Sequence, residues 1–401
     1  MSIKLKDLIS KIDKEDIRLV AGERGYSNPV EWVHMVGNTE IAGFLTGGEI
    51  AFTTGAGLRD DMTLLMLTES IYQKHASAMV INVGPYIPEI PGEVIAFGEE
   101  HDFPIFEVPW RVHMADMMRI FCFEIQRSEQ RELELSAAFR YAVFTPEQEE
   151  LYMGVLTRKG YMPEWSYVAA SFAICEKEET GQGALPYAPV GEERAALLNR
   201  RISNLITQEK PDAVVFPDKE RLMVILCDLE EQAAHSLIEQ ARQRLVPYLK
   251  PAETVFTSVG NVAHGLRHLS ESYKMAKKIV ELSQMECREN TTRNYSGMGI
   301  NRLLFHVESG TYLEEYYNDT IRPLEEYDTL NQSNLLEVLE CYMKHDGSVQ
   351  DTAEELYIHR NTVNYKLKKI ETLLHVDLTR FSTRNELSVG LMAAKLKNCQ
   401  W

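Results

Sequence analysis

The chain has 401 residues, 44% hydrophobic and 25% charged, with a formal net charge of −18 at pH 7, the mix of a globular protein of roughly two to four domains. No run of about 18 apolar residues occurs, so no helix is expected to span a membrane. The opening MSIKLKDLISKIDKED has no apolar core of a signal peptide, and the six cysteines (Cys122, Cys175, Cys227, Cys287, Cys341, Cys399) stand singly, so neither export nor a zinc ribbon is expected and the thiols read as free in a reducing cytoplasm.

Residues from about Ile3 to Pro109 alternate strand-like and helix-like segments. Glu49–Thr54 (EIAFTT) reads as a strand ending in Gly55-Ala-Gly57, Asp60–His75 as a helix with Leu64, Leu67 and Ile71 on one side, and Ala78–Val83 (AMVINV) as a buried strand. Pro91–His101 reads as a helix, with the proline near its start where a missing N–H costs little, and Pro104–Val108 as a further strand. Strands separated by helices of this length predict parallel pairing and an α/β domain.

Met114–Phe144 is the longest predicted helix. Met114, Met117, Met118, Phe121 and Ile125 share one face, followed by the charged run RSEQRELELS. Such a helix fits either a connector that pairs with its copy in a dimer or an amphipathic helix packed on its own domain. Trp165 to about Met285 reads as a second α/β unit. Its strands are Tyr167–Ile174, Ala213–Phe216 and Leu222–Leu226, the last two joined by the turn Pro217-Asp-Lys-Glu220 as a hairpin. Gly181–Gly191 reads as a loop, Gln232–Leu249 and Gly265–Leu282 as helices, and Gly299–Ala394 as helical throughout.

The C-terminal stretch is the most informative. From Asn331 to Trp401 nine Lys/Arg balance nine Asp/Glu, so the whole net charge lies in the first 330 residues. An acidic body would repel nucleic acid and restrict contact to the neutral tail, where Arg360, Lys366, Lys368 and Lys369 cluster against Glu371 alone. Leu335, Leu336, Leu339 and Met343 mark a first helix that Asp346-Gly347 stops. Ser348 caps a second, with Asp351 three residues on. Val349, Ala353 and Leu356 recur at helical spacing, Ile358 fills a turn, and a third helix should start near Arg360 with Val363, Leu367, Ile370 and Leu374 buried.

A small residue, a turn hydrophobe and an early β-branched residue make a helix-turn-helix pattern, whose second helix enters the major groove. Arg360, Asn361, Asn364, Tyr365 and Lys368 then fall on the outer face. Arginine suits guanine and asparagine adenine; Tyr365, Lys366, Lys368 and Lys369 suit phosphates, and Thr362 a phosphate or a thymine methyl. Tyr357 departs from the pattern, since many such units have glycine there. An ordinary three-helix bundle would show similar leucine spacing.

The stretch GSVQDTAEELYIHRNTVNYKLKKIETLLHVDL, Gly347–Leu378, with its run Leu356–Val363, closely resembles the C-terminal helix-turn-helix of the PucR (CdaR-like) family of transcriptional regulators, and IRPLEEYD, Ile321–Asp328, resembles its lead-in. EWVHMV (Glu31–Val36), FLTGGEIAFTTG (Phe44–Gly55) and EIPGEVIAFGEEHDFPIFEVP (Glu89–Pro109) resemble that family's N-terminal purine-catabolism-regulator domain. TSVGNVAHGLRHLSESYKMAKKIVEL (Thr257–Leu282) resembles its degenerate GGDEF-like domain. The resemblance implies a sensor domain at 1–127, a helical linker at 128–160, a GGDEF-like domain at 161–290 and a helical domain at 299–401 with its helix-turn-helix core at 335–378. It implies a regulator that binds double-stranded DNA as a homodimer or higher homo-oligomer. A small-molecule effector would control it, and its targets would be purine or related catabolic genes.

A GGDEF-like domain raises one rival, cyclic-dinucleotide synthesis. That chemistry needs hairpin glycines and metal-binding acids. Here the hairpin reads Asp218-Lys-Glu-Arg-Leu222 without glycine, the first strand has no aspartate, and Glu220 alone cannot hold two metals. No catalytic residue, cofactor or metal is therefore expected. Thr46-Gly47-Gly48-Glu49 and Gly55-Ala-Gly57 lack the spacing and lysine of a phosphate loop and read as turns at strand ends. Trp32, Glu49, Thr53 and Thr54 are candidates for an effector pocket beyond a strand end. His34, His75, His101 and His113 have no metal-ligand spacing, and Cys122 reads as core.

Overall fold

The structure, a computed structural model, describes residues 3–58, 62–177, 187–307 and 310–396. It divides into two units, Met1–Ala137 and Ala138–Trp401. In the first unit β1 (Ile3–Lys4), α1 (Leu5–Ile9), β2 (Arg18–Ala21), β3 (Pro29–Val30), β4 (Trp32–Met35), α2 (Thr39–Ala42), β5 (Glu49–Thr53), α3 (Leu64–Gln73), β6 (Ala78–Val83), α4 (Gly92–Glu100) and β7 (Ile105–Pro109) follow in order. The main sheet runs β2-β7-β6-β5-β4, with β4 to β7 parallel and β2 antiparallel at one edge.

Period-two alternation builds both faces of this sheet. Right-handed crossovers between strands that step one way across a sheet put their helices on one side. On that side Ala51, Met79, Ile81 and Ile105 meet Leu67, Ile71 and Val94. The alternate residues Ile50, Phe52, Val80, Phe106 and Val108 meet Leu5 and Leu8 of α1 and Met114, Met117, Phe121 and Ile125 of α5 (Met114–Phe144). The helix predicted from Asp60 starts at Leu64, because the Thr63 hydroxyl accepts the Met66 N–H and caps it there; residues 59–61 lie outside the described residues.

The last turns of α5 place Ala138, Phe139, Ala142 and Val143 in the core of the second unit, where Phe139 lies edge-on to Tyr161 at 5.0 Å. Then come α6 (Met153–Arg158), β8 (Ser166–Lys177), β9 (Tyr187–Pro189), α7 (Glu192–Glu209), β10 (Val214–Asp218), β11 (Arg221–Cys227), α8 (Glu231–Leu245), β12 (Glu253–His264), α9 (Leu269–Met285) and β13 (Thr291–Asn294). The sheet order is β10-β11-β8-β12-β13, with β9 on β8. The expected hairpin is present as β10–β11. Of the stretch read as a loop, Tyr187–Pro189 is instead strand β9, held by Cys175, Glu176 and Lys177, and 178–186 lie outside the described residues. One face carries α7 and α8 over Val168, Phe172, Val224 and Val259. The other carries Val280 of α9 over Ala173, Cys175 and Phe256.

Among the described residues seven helices follow: α10 (Asn301–Phe305), α11 (Gly310–Thr320), α12 (Arg322–Asn331), α13 (Leu335–Lys344), α14 (Val349–Glu355), α15 (Arg360–Leu374) and α16 (Phe381–Leu396). Ala393 and Leu396 of α16 pack with Met275, Ile279 and Leu282 of α9. The architecture is thus an α/β N-terminal domain, an α/β (α+β, GGDEF-like) middle domain and an all-α C-terminal domain. Among the described residues no helix is long and apolar enough to cross a membrane.

Candidate nucleic-acid interface

The C-terminal helices are set by their caps. Asp328 accepts the Leu335 and Leu336 N–H groups at 2.9 and 2.8 Å, which satisfies the open end of α13. Asp346 and Gly347, at φ +52° and +87°, turn the chain out of α13. Ser348 then caps α14 by accepting the Asp351 N–H at 3.3 Å. After α14, Tyr357 takes φ +53°. The Tyr357 N–H reaches the Glu354 carbonyl at 3.3 Å and the Ile358 N–H the Ala353 carbonyl at 3.0 Å. That pair of bonds is the Schellman closure of a helix C-terminus. His359 caps α15, its Nδ1 accepting the Asn361 N–H at 3.2 Å.

Val363, Leu367 and Ile370 of α15 are buried against Leu335, Val338, Leu339, Ala353 and Leu391. Leu374, expected in the core, is half-buried at the edge of that cluster, in the last turn of α15 before His375 closes the helix at φ +55°. The opposite side exposes Arg360, Asn361, Thr362, Asn364, Tyr365 and Lys368. Among the described residues no hydrogen bond or ion pair engages the side chains of Arg360, Asn361, Asn364, Tyr365 or Lys368. Lys366 is placed differently: it is half-buried and donates to the Asn334 side chain. Lys369 lies over the Tyr327 ring at 5.2 Å. Each is an amphipathic stem laid along the bundle flank rather than on the outer face.

The effector candidates do not converge. Trp32 pairs with Glu49 across the starts of β4 and β5. Thr53 ends β5, four residues on, or roughly 13 Å along an extended strand. Glu49 is buried, and its carboxylate accepts the Thr46 N–H, the Thr46 hydroxyl and the Gly47 N–H, each at 2.8 Å. Burial alone would raise its pKa, but these donors outweigh it and hold the group below the usual carboxylate range. Thr53 and Thr54 accept the Gly55 and Ala56 N–H groups at 3.2 and 3.4 Å. These polar groups therefore build turns. A cleft of about 480 Å³ instead opens at the N-terminal ends of β6 and β7, lined by Arg24, Asn28, Tyr72, His75, His101 and Asp102. His75 and Asp102 hold positive φ there. Its residues come from separate loops, so no spacing in the sequence brings them together.

At the middle-domain hairpin Lys219 holds φ +51°. Asp218 accepts the Tyr273 hydroxyl, and Arg221 pairs with Glu281 at 2.9 Å. Glu220 is exposed. The polar groups flanking the turn are thus engaged by α9.

Comparison with known proteins follows the same three parts. Residues 7–125 match the purine catabolism regulatory protein-like family, 125–282 the GGDEF-like domain, and 335–393 the PucR C-terminal helix-turn-helix domain. The chain is 27% identical over 199 residues to the proline-responsive transcriptional activator PutR of Bacillus subtilis (strain 168), covering 49% of this chain and 48% of that protein. It is 30% identical over 127 residues to the DNA-binding transcriptional activator AdeR of the same organism, covering 31% and 30%. It is also 28% identical over 163 residues to that organism's purine catabolism regulatory protein, covering 40% and 30%. The chain thus spans about half, or less, of the length of these curated relatives. With its N-terminal, GGDEF-like and helix-turn-helix parts each matched and in that order, the chain belongs to the PucR family.

Proposed function

We propose that this chain is a transcription regulator that binds double-stranded DNA by laying the leading half of α15 in the major groove. The observation that carries this reading is the division of α15: Val363, Leu367 and Ile370 sealed inward, Arg360, Asn361, Asn364, Tyr365 and Lys368 outward and unengaged. Arg360 and the two asparagines read base edges. Thr362, Tyr365 and Lys368 hold phosphates, and Lys366 joins them once it leaves Asn334.

A homodimer would present two such helices to half-sites about one or more helical turns apart. A small metabolite held by the N-terminal domain would shift that geometry, and the cleft beside Tyr72, His75 and His101 supports a site there. The relatives named for proline and for purine catabolism favour a small catabolic metabolite without choosing between them. The GGDEF-like domain serves as a scaffold in this reading, supported by the engagement of its hairpin by α9.

The test is a gel-shift titration with the duplex upstream of the encoding gene. Arg360→Ala should cost roughly 1–3 kcal/mol at a cognate site and relax base preference. An unchanged affinity and preference would refute the docking.

A further inference from the structure

Cys341, His345 and Glu355 converge at the crossing of α13 and α14. Their thiol sulfur, imidazole nitrogen and carboxylate oxygen all lie within 4.8 Å of one another. Residues four apart on a helix share a face; His345 caps α13 and its N–H still bonds the Cys341 carbonyl at 3.1 Å, so the end of α13 offers sulfur and nitrogen side by side, and α14 brings the oxygen from across. His345 Nε2 already lies 2.7 Å from Glu355 Oε2. Cys341 is buried, its thiol 4.0 Å from the Thr352 carbonyl oxygen, whereas the His345 and Glu355 side chains keep 27% and 40% exposure, so the cluster is closed behind and open to water in front.

We propose that Cys341, His345 and Glu355 form a binding site for one divalent ion of the zinc class, with water as the fourth ligand. One thiolate, one imidazole and one carboxylate suit a borderline-soft ion and exclude magnesium or calcium, which take oxygen sets. Tetrahedral bonds of about 2.0–2.3 Å set the donor atoms roughly 3.3–3.7 Å apart, so donors now as far as 4.8 Å apart must close while the imidazole and carboxylate, 2.7 Å apart, must open, each by about 1 Å or less and within the reach of side-chain rotation. On binding, sulfur–metal, nitrogen–metal and oxygen–metal bonds form, the thiol proton passes to solvent, and no electron is transferred. Lys344, whose ammonium lies 2.7 Å from both Glu355 oxygens, is displaced. The ion would pin α13 to α14, the helix that carries the turn into α15.

The test titrates the full chain with cobalt(II) and follows the thiolate-to-cobalt charge-transfer absorption, then back-titrates with zinc. One cobalt per chain should bind with that band and be displaced by zinc. Cys341→Ser should abolish the band, and Cys287→Ser, at an exposed thiol, should leave it. His345→Ala and Glu355→Gln, at side chains open to solvent, should weaken binding by roughly tenfold or more even if Cys341→Ser folds poorly. Lys344→Met should tighten it by removing the competing cation. Absence of the band from the unsubstituted chain, its survival in Cys341→Ser, or unchanged affinity in both His345→Ala and Glu355→Gln would overturn the proposal.

Discussion

Tyr357 occupies the position of a C-terminal helix cap where glycine is the usual choice, and replacing it isolates what the turn costs. Its φ is +53° and its side chain is 95% exposed, so the ring contributes almost no burial. A left-handed conformation costs a residue with a Cβ about 1–2 kcal/mol. Glycine removes that cost, but its wider freedom in the unfolded chain returns about 0.5–1 kcal/mol. Tyr357→Gly should therefore stabilise the helix-turn-helix by about 0.5–1 kcal/mol, with both Schellman bonds intact. Because the chain has more than one domain, a single melting temperature would blur this effect. Native-state hydrogen exchange at the Val363, Leu367 and Ile370 amides reads it locally, and exchange should slow by roughly two- to fivefold. Unchanged or faster exchange would refute the strained-cap reasoning.

Gly260 sits where β12 meets α9: a Cβ there would lie 2.2 Å from the Ser272 carbonyl oxygen. Gly260→Ala should push α9 off the sheet and lower stability by about 1–3 kcal/mol in urea titration followed by middle-domain fluorescence. Glu49 has a depressed folded-state pKa, so it contributes stability above its unfolded pKa and loses it as pH falls through the folded value. Acid unfolding of the N-terminal domain should therefore begin below about pH 4.5. Glu49→Gln should flatten that dependence and lower stability at neutral pH, since an amide nitrogen cannot accept the Gly47 N–H.

Much of the fold is legible because burial imposes a simple period. AMVINV and Met114–Phe144 end where expected, since the first is enclosed on both faces and the second carries an apolar stripe at each end, Met114 to Ile125 and Ala138 to Val143, on either side of its charged run. β12 escapes the same reading: Thr254, Thr257 and Ser258 look like surface residues, yet all three are buried, their hydroxyls bonded to Asn290, Thr291 and Ala276. The helix α7 is likewise passed over, although Leu198, Ile202 and Ile206 recur at four-residue spacing and supply the signal. At the site, outward and inward faces of α15 follow from periodicity. The tethering of Lys366 does not, because its partner Asn334 caps α13, 32 residues earlier, and only the packed bundle brings them together. The clustering of Cys341, His345 and Glu355 is half visible, as a four-residue step from α13 to its cap, with the third member set by the α13–α14 crossing.

The measurement that reaches the central claim most directly is the salt dependence of duplex binding by the full chain and by Lys368→Ala, read by fluorescence anisotropy. If the outer face of α15 lies against the phosphates, loss of Lys368 should weaken every sequence alike and reduce the slope of log K against log salt by about 1. Identical affinity and slope in the two proteins would contradict the placement of α15 on DNA.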